Sequence, residues 1–451
     1  MKKLLTGICL CSLLYFISCR MDSGVITNEI DDRLEELIKD HSENGRMSFY
    51  VMPQSNEYAN IPNQDPNNPI TAEKVLLGKM LFFETGLAQE AKKSVSLNTY
   101  SCSSCHVPEK NFTAGRVQGI ADGAIGFGRL GELRHKNPLY DGSEVDAQGA
   151  RPLPTINLAY VRNALWSGAF GAHGMNEGTQ SAWGIADSLT AINHLGMEGL
   201  ESNNTRALFV HRQVVTKELM EKLGMKTMFD KAFPNVPEDQ RYTRQIASNA
   251  IASYFRTIFT NQAPFQKWLK GDRSALSPQQ KRGAELFFGK AGCINCHNSP
   301  SFNGQRFAAV GAKDLYMNPN EVYRTGPQDA RNKGRGGFTL RDADLYKFKV
   351  PQLYNLKGVG FYLHGASKYT LRDVVEYFNS AVPENPNVPL ERIDYRFKPL
   401  NLTHSEIDDL VEFIENGLYD ENLVRYKPDF IMSGLCFPDN DPESKHQMGC
   451  L

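Results

Sequence analysis

The sequence predicts a mainly α-helical protein in which short helices alternate with long irregular loops. Three amphipathic segments carry helix signals, at residues 240–259, 371–379 and 404–416. Alternation of apolar and polar residues at period two, the pattern of a half-buried strand, is scarce. Two stretches rich in Gly, Pro and Asn, 113–154 and 299–345, are typical of loops. The length of 451 residues fits two domains of ordinary size.

The composition is that of an ordinary globular protein. Hydrophobic residues make up 41% of the chain and charged residues 22%, with a formal net charge of −1. A nucleic-acid-binding protein usually carries an excess of basic residues. The composition therefore gives no indication of nucleic acid as a partner.

The N-terminus has the pattern of a secretory signal. Two lysines precede an apolar run that ends at Cys19. The run is shorter than the ~20 residues needed to span a bilayer, so a cleaved signal over residues 1–18 is favoured over a transmembrane anchor. Residues 16–19 resemble a bacterial lipobox, in which Cys19 becomes the lipidated first residue. We therefore predict a lipid-anchored protein of the cell envelope, facing the periplasm or at the outer membrane.

Residues 19–69 are predicted to be the lipid anchor and a tether. A short amphipathic segment around Leu34, Leu37 and Ile38 has the spacing of a helix. The stretch 60–69 is rich in Pro and Asn, a composition typical of an extended linker. We expect this region to be a spacer between the lipid and the folded body.

Two copies of Cys-x-x-Cys-His carry the clearest chemistry in the sequence. They comprise Cys102, Cys105 and His106 in the first motif and Cys293, Cys296 and His297 in the second. This pentapeptide is the attachment signature of c-type haem, in which both thiols bond to the porphyrin and the histidine binds the iron. Zinc knuckles and reducible disulfides are the alternatives, but a zinc site needs four ligands and usually a second Cys pair nearby. The motifs therefore predict two covalently bound haem c groups.

A repeated segment precedes the two motifs. Residues 71–83 and 277–288 are each predicted to form a short helix that ends in Leu-Phe-Phe. For the second helix, Ser277 is the expected N-cap, Pro278 the first helical residue and Gln280 the partner in a capping box. Together with the haem motifs, the repeat predicts a duplicated cytochrome c unit.

The remaining cysteines predict one disulfide. Of the nine cysteines, two lie in the predicted signal, Cys19 takes lipid and four take haem. Cys436 and Cys450 are left, in a C-terminal tail spanning residues 426–451. An oxidising compartment allows them to pair across this tail, and two free thiols are the alternative.

The segments around the haem motifs resemble the bacterial dihaem cytochrome c peroxidases and their relatives in methylamine utilisation. The resemblance covers the body of the chain from about residue 70 to residue 420. The matching segments are Leu-Gly-Lys-Met-Leu-Phe-Phe at 77–83, Arg-Pro-Leu-Pro-Thr-Ile-Asn at 151–157, Leu-Trp-Ser-Gly at 165–168, Phe-Lys-Val-Pro-Gln-Leu-Tyr-Asn at 348–355, Phe-Tyr-Leu-His-Gly at 361–365, and 398–410.

The resemblance implies a division of labour between two cytochrome c-like haem domains. The domain at 70–270 would hold the peroxidatic haem on His106, and the domain at 271–425 would hold the electron-transfer haem on His297. The implied reaction is reduction of hydrogen peroxide to water with electrons from a small periplasmic cytochrome or cupredoxin. The alternatives are an oxidase of the methylamine-utilisation type, acting on a protein or organic substrate, and a dihaem electron carrier without catalysis. A homodimer is left open.

The family places a glutamate immediately before a Met to move protons in the peroxide site. Here Gly196 precedes Met197, and Glu198 follows it, so Glu198 is the best candidate, with Glu201 behind it. A solvated surface glutamate is the alternative. His194 is equally close in sequence, either as a polar group of the site or as a structural histidine.

Trp166 matches the family tryptophan that lies between the two haems and assists electron transfer. The Ser-Gly that follows it belongs to the same family segment. A buried core tryptophan is the alternative, because packing is the commonest role of this residue type.

The resemblance is weakest at the groups beyond each iron. His135 is the only histidine in the loop that can cap the first iron in the family, and it is either a removable ligand or a surface residue. As a surface residue it would leave the first site open without reductive activation. At the second haem the position of the family Met or Tyr is Phe378. Tyr377 lies one residue earlier, about 100° round a helix.

Calcium lies between the domains in many relatives. The usual Asn of the Arg-Asn-x-Pro-Thr stretch is Pro152 here, which removes one side-chain oxygen. The sequence therefore argues against calcium, although backbone carbonyls remain as ligands.

Overall fold

The computed structural model describes residues 23–450, and the predicted signal, Cys19 and the final residue lie outside them. Helices dominate, and the two sheets are antiparallel pairs of two-residue strands, β1 Ala124–Ile125 with β2 His135–Lys136 and β3 Phe307–Ala308 with β4 Phe348–Lys349. The helices are α1 Ser23–His41, α2 Ala72–Phe83, α3 Gly199–Val210, α4 Lys217–Lys222, α5 Lys226–Ala232, α6 Glu238–Arg241, α7 Arg244–Thr257, α8 Pro264–Leu269, α9 Pro278–Phe288, α10 Gly336–Thr339, α11 Leu371–Ser380, α12 His404–Glu412 and α13 Pro442–Met448. The mainly α class is confirmed.

Local capping decides where the predicted helices begin. Ser277, Thr370 and Thr403 each accept a hydrogen bond from the backbone N–H three residues later and form capping boxes, as predicted for Ser277. The segment predicted as one helix over 240–259 is two, because Thr243 caps α7 and separates it from α6. α12 ends at Glu412 and continues as one π-helical turn, Phe413–Gly417.

Two hydrophobic cores contain the same helix crossing. In the first, α2 crosses α7 so closely that a Cβ on Gly78 would lie 2.0 Å from the Ala250 carbonyl oxygen. In the second, α9 crosses α12, and a Cβ on Gly283 would lie 2.0 Å from the Asp409 carbonyl oxygen. Each glycine stands five residues before the final Phe of Leu-Phe-Phe. The repeat seen in the sequence is thus a repeat of backbone packing.

The spacer predicted for residues 19–69 is wrong for the described part of this region. Leu34 and Ile38 of α1 are fully buried in the second core, so the amphipathic helix is present but packed. Asp31 on the same helix accepts hydrogen bonds from Trp268 Nε1 at 2.7 Å and from Lys281 Nζ at 2.9 Å. A buried carboxylate needs such partners, and these lie more than two hundred residues away in sequence. Local composition cannot reveal them.

The C-terminal segment returns to the first core. Leu423, Tyr426 and Ile431 are buried against it. Cys436 and Cys450 then form the predicted disulfide, with their Cα atoms 5.9 Å apart. Between Ser23 and Cys450, no helix is both long and apolar enough to cross a membrane.

Candidate functional site

The two Cys-x-x-Cys-His motifs adopt the same tight turn. The His106 backbone N–H donates to the Cys102 carbonyl at 3.1 Å, and the His297 N–H donates to the Cys293 carbonyl at 3.0 Å. Within residues 23–450 the four motif cysteines form no disulfide. Each turn therefore presents two thiols and one imidazole in a fixed relation.

Backbone carbonyls orient both histidines. His106 Nδ1 lies 3.2 Å from the Phe112 carbonyl oxygen, and His297 Nδ1 lies 2.7 Å from that of Phe302 and 3.1 Å from that of Pro351. Burial lowers the pKa of each imidazole, and the hydrogen bonds to the backbone carbonyls raise it by less. The resulting pKa is about 4 for both histidines. Both rings are therefore neutral near pH 7, with Nδ1 donating and Nε2 left to bind a metal.

Trp166 is connected by hydrogen bonds to the support of the first histidine. Its indole Nε1 donates to the Arg151 carbonyl at 2.7 Å. Four residues further, the Thr155 N–H donates to the Phe112 carbonyl at 3.3 Å, and that carbonyl also contacts His106 Nδ1. A short stretch of backbone thus joins the indole to the first turn.

A second connection runs from Trp166 to the other histidine. The Trp166 carbonyl accepts a hydrogen bond from the Lys349 N–H at 2.7 Å, and Pro351, two residues later, accepts from His297. The Lys349 ammonium is buried and donates to the Asn163 carbonyl at 2.8 Å, and burial lowers its pKa to about 7. Trp166 therefore lies between the backbone segments whose carbonyls contact His106 and His297. Lys349 contacts the loop that contains Trp166 through the Asn163 and Trp166 carbonyls.

The two candidate glutamates have different surroundings. Glu198 is the N-cap residue of α3, and its carboxylate accepts from Arg162 at 2.7 Å, where the guanidinium is one-third exposed. Glu201 is fully buried and pairs with the equally buried Arg256 at 2.5 and 2.9 Å. Glu198 thus keeps a partner with access to solvent, whereas Glu201 belongs to an enclosed structural ion pair.

The structure also places a histidine–aspartate pair near the first turn, which sequence reasoning missed. His211 Nδ1 lies 2.5 Å from Asp146 Oδ2, and both side chains are largely buried. Burial lowers the pKa of His106, the hydrogen bond to the Phe112 carbonyl raises it, and the charge of His211 lowers it further. The two residues are 65 positions apart and share no motif, so no sequence signal joins them.

Comparison with known proteins identifies the family. A family model described as di-haem cytochrome c peroxidase matches residues 72–274. Cytochrome-c peroxidase IdrP1 of Denitromonas iodatirespirans is 30% identical over 381 residues, covering 80% of this chain and 86% of that protein. The chain belongs to the di-haem cytochrome c peroxidase family. The methylamine utilization protein MauG of Methylorubrum extorquens is 29% identical over 350 residues, covering 77% of this chain and 79% of that protein.

Solved structures share the fold at low sequence identity. A MauG-like protein associated with microbial copper homeostasis aligns with a TM-score of 0.55 at 22% identity, covering 83% of this chain and 96% of that chain. The diheme peroxidase BthA of Burkholderia thailandensis aligns with a TM-score of 0.52 at 17% identity, covering 80% of this chain and 89% of that chain. These likenesses concern the fold alone.

Membership of the di-haem cytochrome c peroxidase family implies two haem c groups, and both turns fit one. The thiols are free, and the buried imidazoles are neutral. Burial raises the pKa of the Cys105 thiol, and the nearby Arg134 and Arg116 guanidinium groups oppose this rise. Arg116 is partly buried, and its Nε has no hydrogen-bond partner within the described chain. An unpartnered guanidinium N–H beside a motif cysteine suits an anionic group such as a porphyrin propionate. Cys102, Cys105 and His106 would hold the first haem, and Cys293, Cys296 and His297 the second.

The other histidines predicted near the first haem lie at the surface. His135, on β2, is half exposed, with Nδ1 2.9 Å from the Leu133 carbonyl oxygen and Nε2 3.9 Å from a Glu443 carboxylate oxygen. This placement favours the interpretation of His135 as a surface residue. His194 is exposed and packs edge-on against Trp183, with ring centroids 5.0 Å apart. Neither is brought together with Glu198 and Trp166, which share the packed loop layer 162–172 and 197–199.

Tyr377 is buried on α11. Its hydroxyl donates to the Val310 carbonyl at 2.5 Å, and its ring packs against Phe397. Burial raises the pKa of this phenol well above its usual value. A ligand role for Tyr377 at the second haem stays a prediction, and it requires the bond to Val310 to be exchanged for the iron.

Proposed function

We propose that the protein is a dihaem peroxidase that reduces hydrogen peroxide to water with electrons from a small periplasmic cytochrome or cupredoxin. The main support for this proposal is a path of hydrogen bonds and short backbone segments that runs from His106 through Trp166 to His297. It suits a protein in which electrons enter at one haem and are used at the other. Relatives named cytochrome-c peroxidases support the same reaction class.

Reduction of hydrogen peroxide to two waters consumes two electrons and two protons. When bound, the two haems supply the iron that binds peroxide and the means to store and pass the two electrons. We assign the proton transfers to Glu198, whose carboxylate would take a proton from one peroxide oxygen and return it to the other. Arg162 orients this carboxylate, and Asp65 accepts the Glu198 backbone N–H at 2.9 Å.

The test is rapid mixing of the reduced protein with hydrogen peroxide, followed by steady-state turnover with reduced small cytochromes and cupredoxins. Fast peroxide consumption with catalytic oxidation of one of these donors is the expected result. No reaction with peroxide would contradict the proposal and leave a dihaem electron carrier. The sequence is almost equally similar to MauG, so an oxidase of that type is the second candidate. It would consume peroxide while oxidising an added protein or organic substrate, without turnover of a small donor.

We further propose that the mature protein is anchored in the cell envelope by lipid on Cys19. Haem attachment to two Cys-x-x-Cys-His motifs and a disulfide between Cys436 and Cys450 both suit an extracytoplasmic location. Mass spectrometry of the mature N-terminus should show a diacylated residue 19, and Cys19→Ser should release the protein from membranes. Membrane retention of the Cys19→Ser variant would contradict the anchor.

Trp166→Phe is expected to slow electron delivery from the donor to the first haem. The substitution keeps an aromatic ring but removes the N–H that donates to Arg151. The buried carbonyl left without a partner also lowers stability by about 1–3 kcal/mol. The measurement is the rate of electron redistribution between the haems after reduction by a small donor.

Trp183→Phe is the matched control for this variant. Trp183 is also buried, and its N–H donates to Thr179 Oγ1 at 3.0 Å, but it does not lie on the connection between the motif histidines. Equal slowing in the two variants would mean that Trp166 acts through packing alone.

A further inference from the structure

Residues 436–450, the part of the C-terminal tail that the disulfide closes, contact the first Cys-x-x-Cys-His turn. The Pro438 carbonyl accepts hydrogen bonds from Ser101 Oγ at 3.0 Å and from Ser104 Oγ at 3.1 Å. Ser104 Oγ also lies 2.8 Å from Asp439 Oδ1, so the single proton of this hydroxyl is shared between the Pro438 carbonyl and the Asp439 carboxylate. These contacts join residues more than three hundred positions apart, and Ser104 lies inside the Cys-x-x-Cys-His motif itself.

A buried ion pair lies at the centre of this contact. Asp439 is fully buried and pairs closely with Arg134, whose guanidinium is also buried. Burial raises the pKa of the Asp439 carboxyl more than Arg134 and Ser104 lower it, and the resulting pKa is about 6. Arg134 and Asp439 both influence the pKa of the Cys105 thiol, so the pair lies beside the thiol that attaches haem. Breaking such a pair leaves one charge buried alone.

The disulfide closes the tail around these contacts. Cys436 lies before Pro438 and Asp439, Cys450 follows α13, and the two cysteines are 14 positions apart in sequence. The tail is also paired through its backbone, since the Asn440 N–H donates to the Thr99 carbonyl at 2.9 Å. A cross-link of this kind restricts the open states of the loop that it closes.

The second turn has different surroundings. The positions of Ser103 and Ser104 are taken there by Ile294, which is buried in the second core, and by Asn295, which is exposed. Two serines thus replace an apolar residue at the first turn, where the tail binds Ser104 and the Ser103 hydroxyl contacts that of Ser101. The first motif depends on distant polar contacts, whereas the second depends on its own core.

We propose that the disulfide-closed tail is a positioning element of the first haem-attachment turn. Pro438 and Asp439 hold the turn through Ser101 and Ser104, in the conformation that presents Cys102, Cys105 and His106 to the haem. The proposal rests on haem attachment at this motif, as in the proposed function. It predicts that loosening the tail affects the first haem and leaves the second unchanged.

The test uses hydrogen exchange in the purified protein with its haems. Ser104→Ala and Asp439→Asn are expected to speed amide exchange at Cys105 and His106 about 10- to 100-fold, because each removes a hydrogen bond to a charged group. Exchange at Cys296 and His297 should not change, so the second turn is an internal control. His446→Gln, an exposed change on α13, is the control variant and should match the wild type.

The disulfide is tested in the same way. Cys436→Ser with Cys450→Ser should speed exchange at the first turn and lower haem occupancy there, measured by the mass of each motif peptide. If this variant fails to fold, reduction and alkylation of the wild-type disulfide in the folded protein replaces it. Unchanged exchange after loosening, or equal acceleration in both turns, would overturn the proposal. A wild-type first motif without haem would instead contradict the proposed function.

Discussion

Glu198→Gln is expected to lower turnover of hydrogen peroxide by about 10²- to 10⁴-fold, the usual contribution of a positioned acid–base group. The amide has nearly the same shape as the carboxylate but cannot take a proton from peroxide. The partner Arg162 is one-third exposed and water can solvate its charge, so the change should leave the fold in place. The measurement is steady-state turnover with a small donor, together with the haem content of both motif peptides.

Two further variants separate proton transfer from the ion pair. Arg162→Met removes the partner of Glu198 but keeps the carboxylate, so a smaller loss is expected than for Glu198→Gln. His194→Gln should have little effect, because His194 is exposed and packs on Trp183 rather than on Glu198. Full activity of Glu198→Gln would remove this assignment. His211, oriented by Asp146 near His106, would then be the next group to replace.

Glu201→Gln is expected to destabilise the protein by about 3–5 kcal/mol, because it leaves the buried Arg256 without its counter-charge. Both oxygens of Glu201 accept from this guanidinium, and Asn68 Nδ2 donates to Oε1 at 2.9 Å. Burial acts to lower the pKa of Arg256, but Glu201, together with Glu198 and Asp65, raises it overall, so the arginine stays charged. Denaturant unfolding followed by loss of helical signal gives the free energy of unfolding.

The controls for Glu201 concern the same ion pair and a surface pair. Glu201→Leu combined with Arg256→Met removes both charges and should recover part of the lost stability. Lys39→Gln removes an exposed pair with Glu35 and should leave the unfolding midpoint nearly unchanged. If Glu201→Gln is as stable as the wild type but inactive, Glu201 has a role in the peroxide site instead.

These two glutamates show the limit of sequence reasoning about this site. They are three residues apart at the start of one helix, and the sequence favoured Glu198, with Glu201 behind it, only from its position next to Met197. The structure separates them because Glu198 lies at the N-terminal end of α3 beside Arg162, which is one-third exposed, whereas Glu201 contacts Arg256 of α7. The partner of each carboxylate lies far away in the chain. Only the packing of α3 on α7 decides which charge is enclosed.

The features predicted correctly are those governed by local chemistry. The capping box of Ser277 needs only residues within one turn. The pairing of Cys436 with Cys450 followed from counting, because the other seven cysteines had an assignment. The repeat of Leu-Phe-Phe was visible because both copies kept the same letters.

Tertiary structure alone decided the features that depend on distant partners. The segment expected to be a spacer packs as α1, because Asp31 meets Trp268 and Lys281 across the chain. Likewise, the tail binds the first haem turn through contacts that span most of the sequence. Burying a polar group is favourable only when a partner is present, and the partner is chosen by the fold. The sequence therefore specified which residues can hold two haems, and the packing specified how Trp166, the tail and the buried charges surround them.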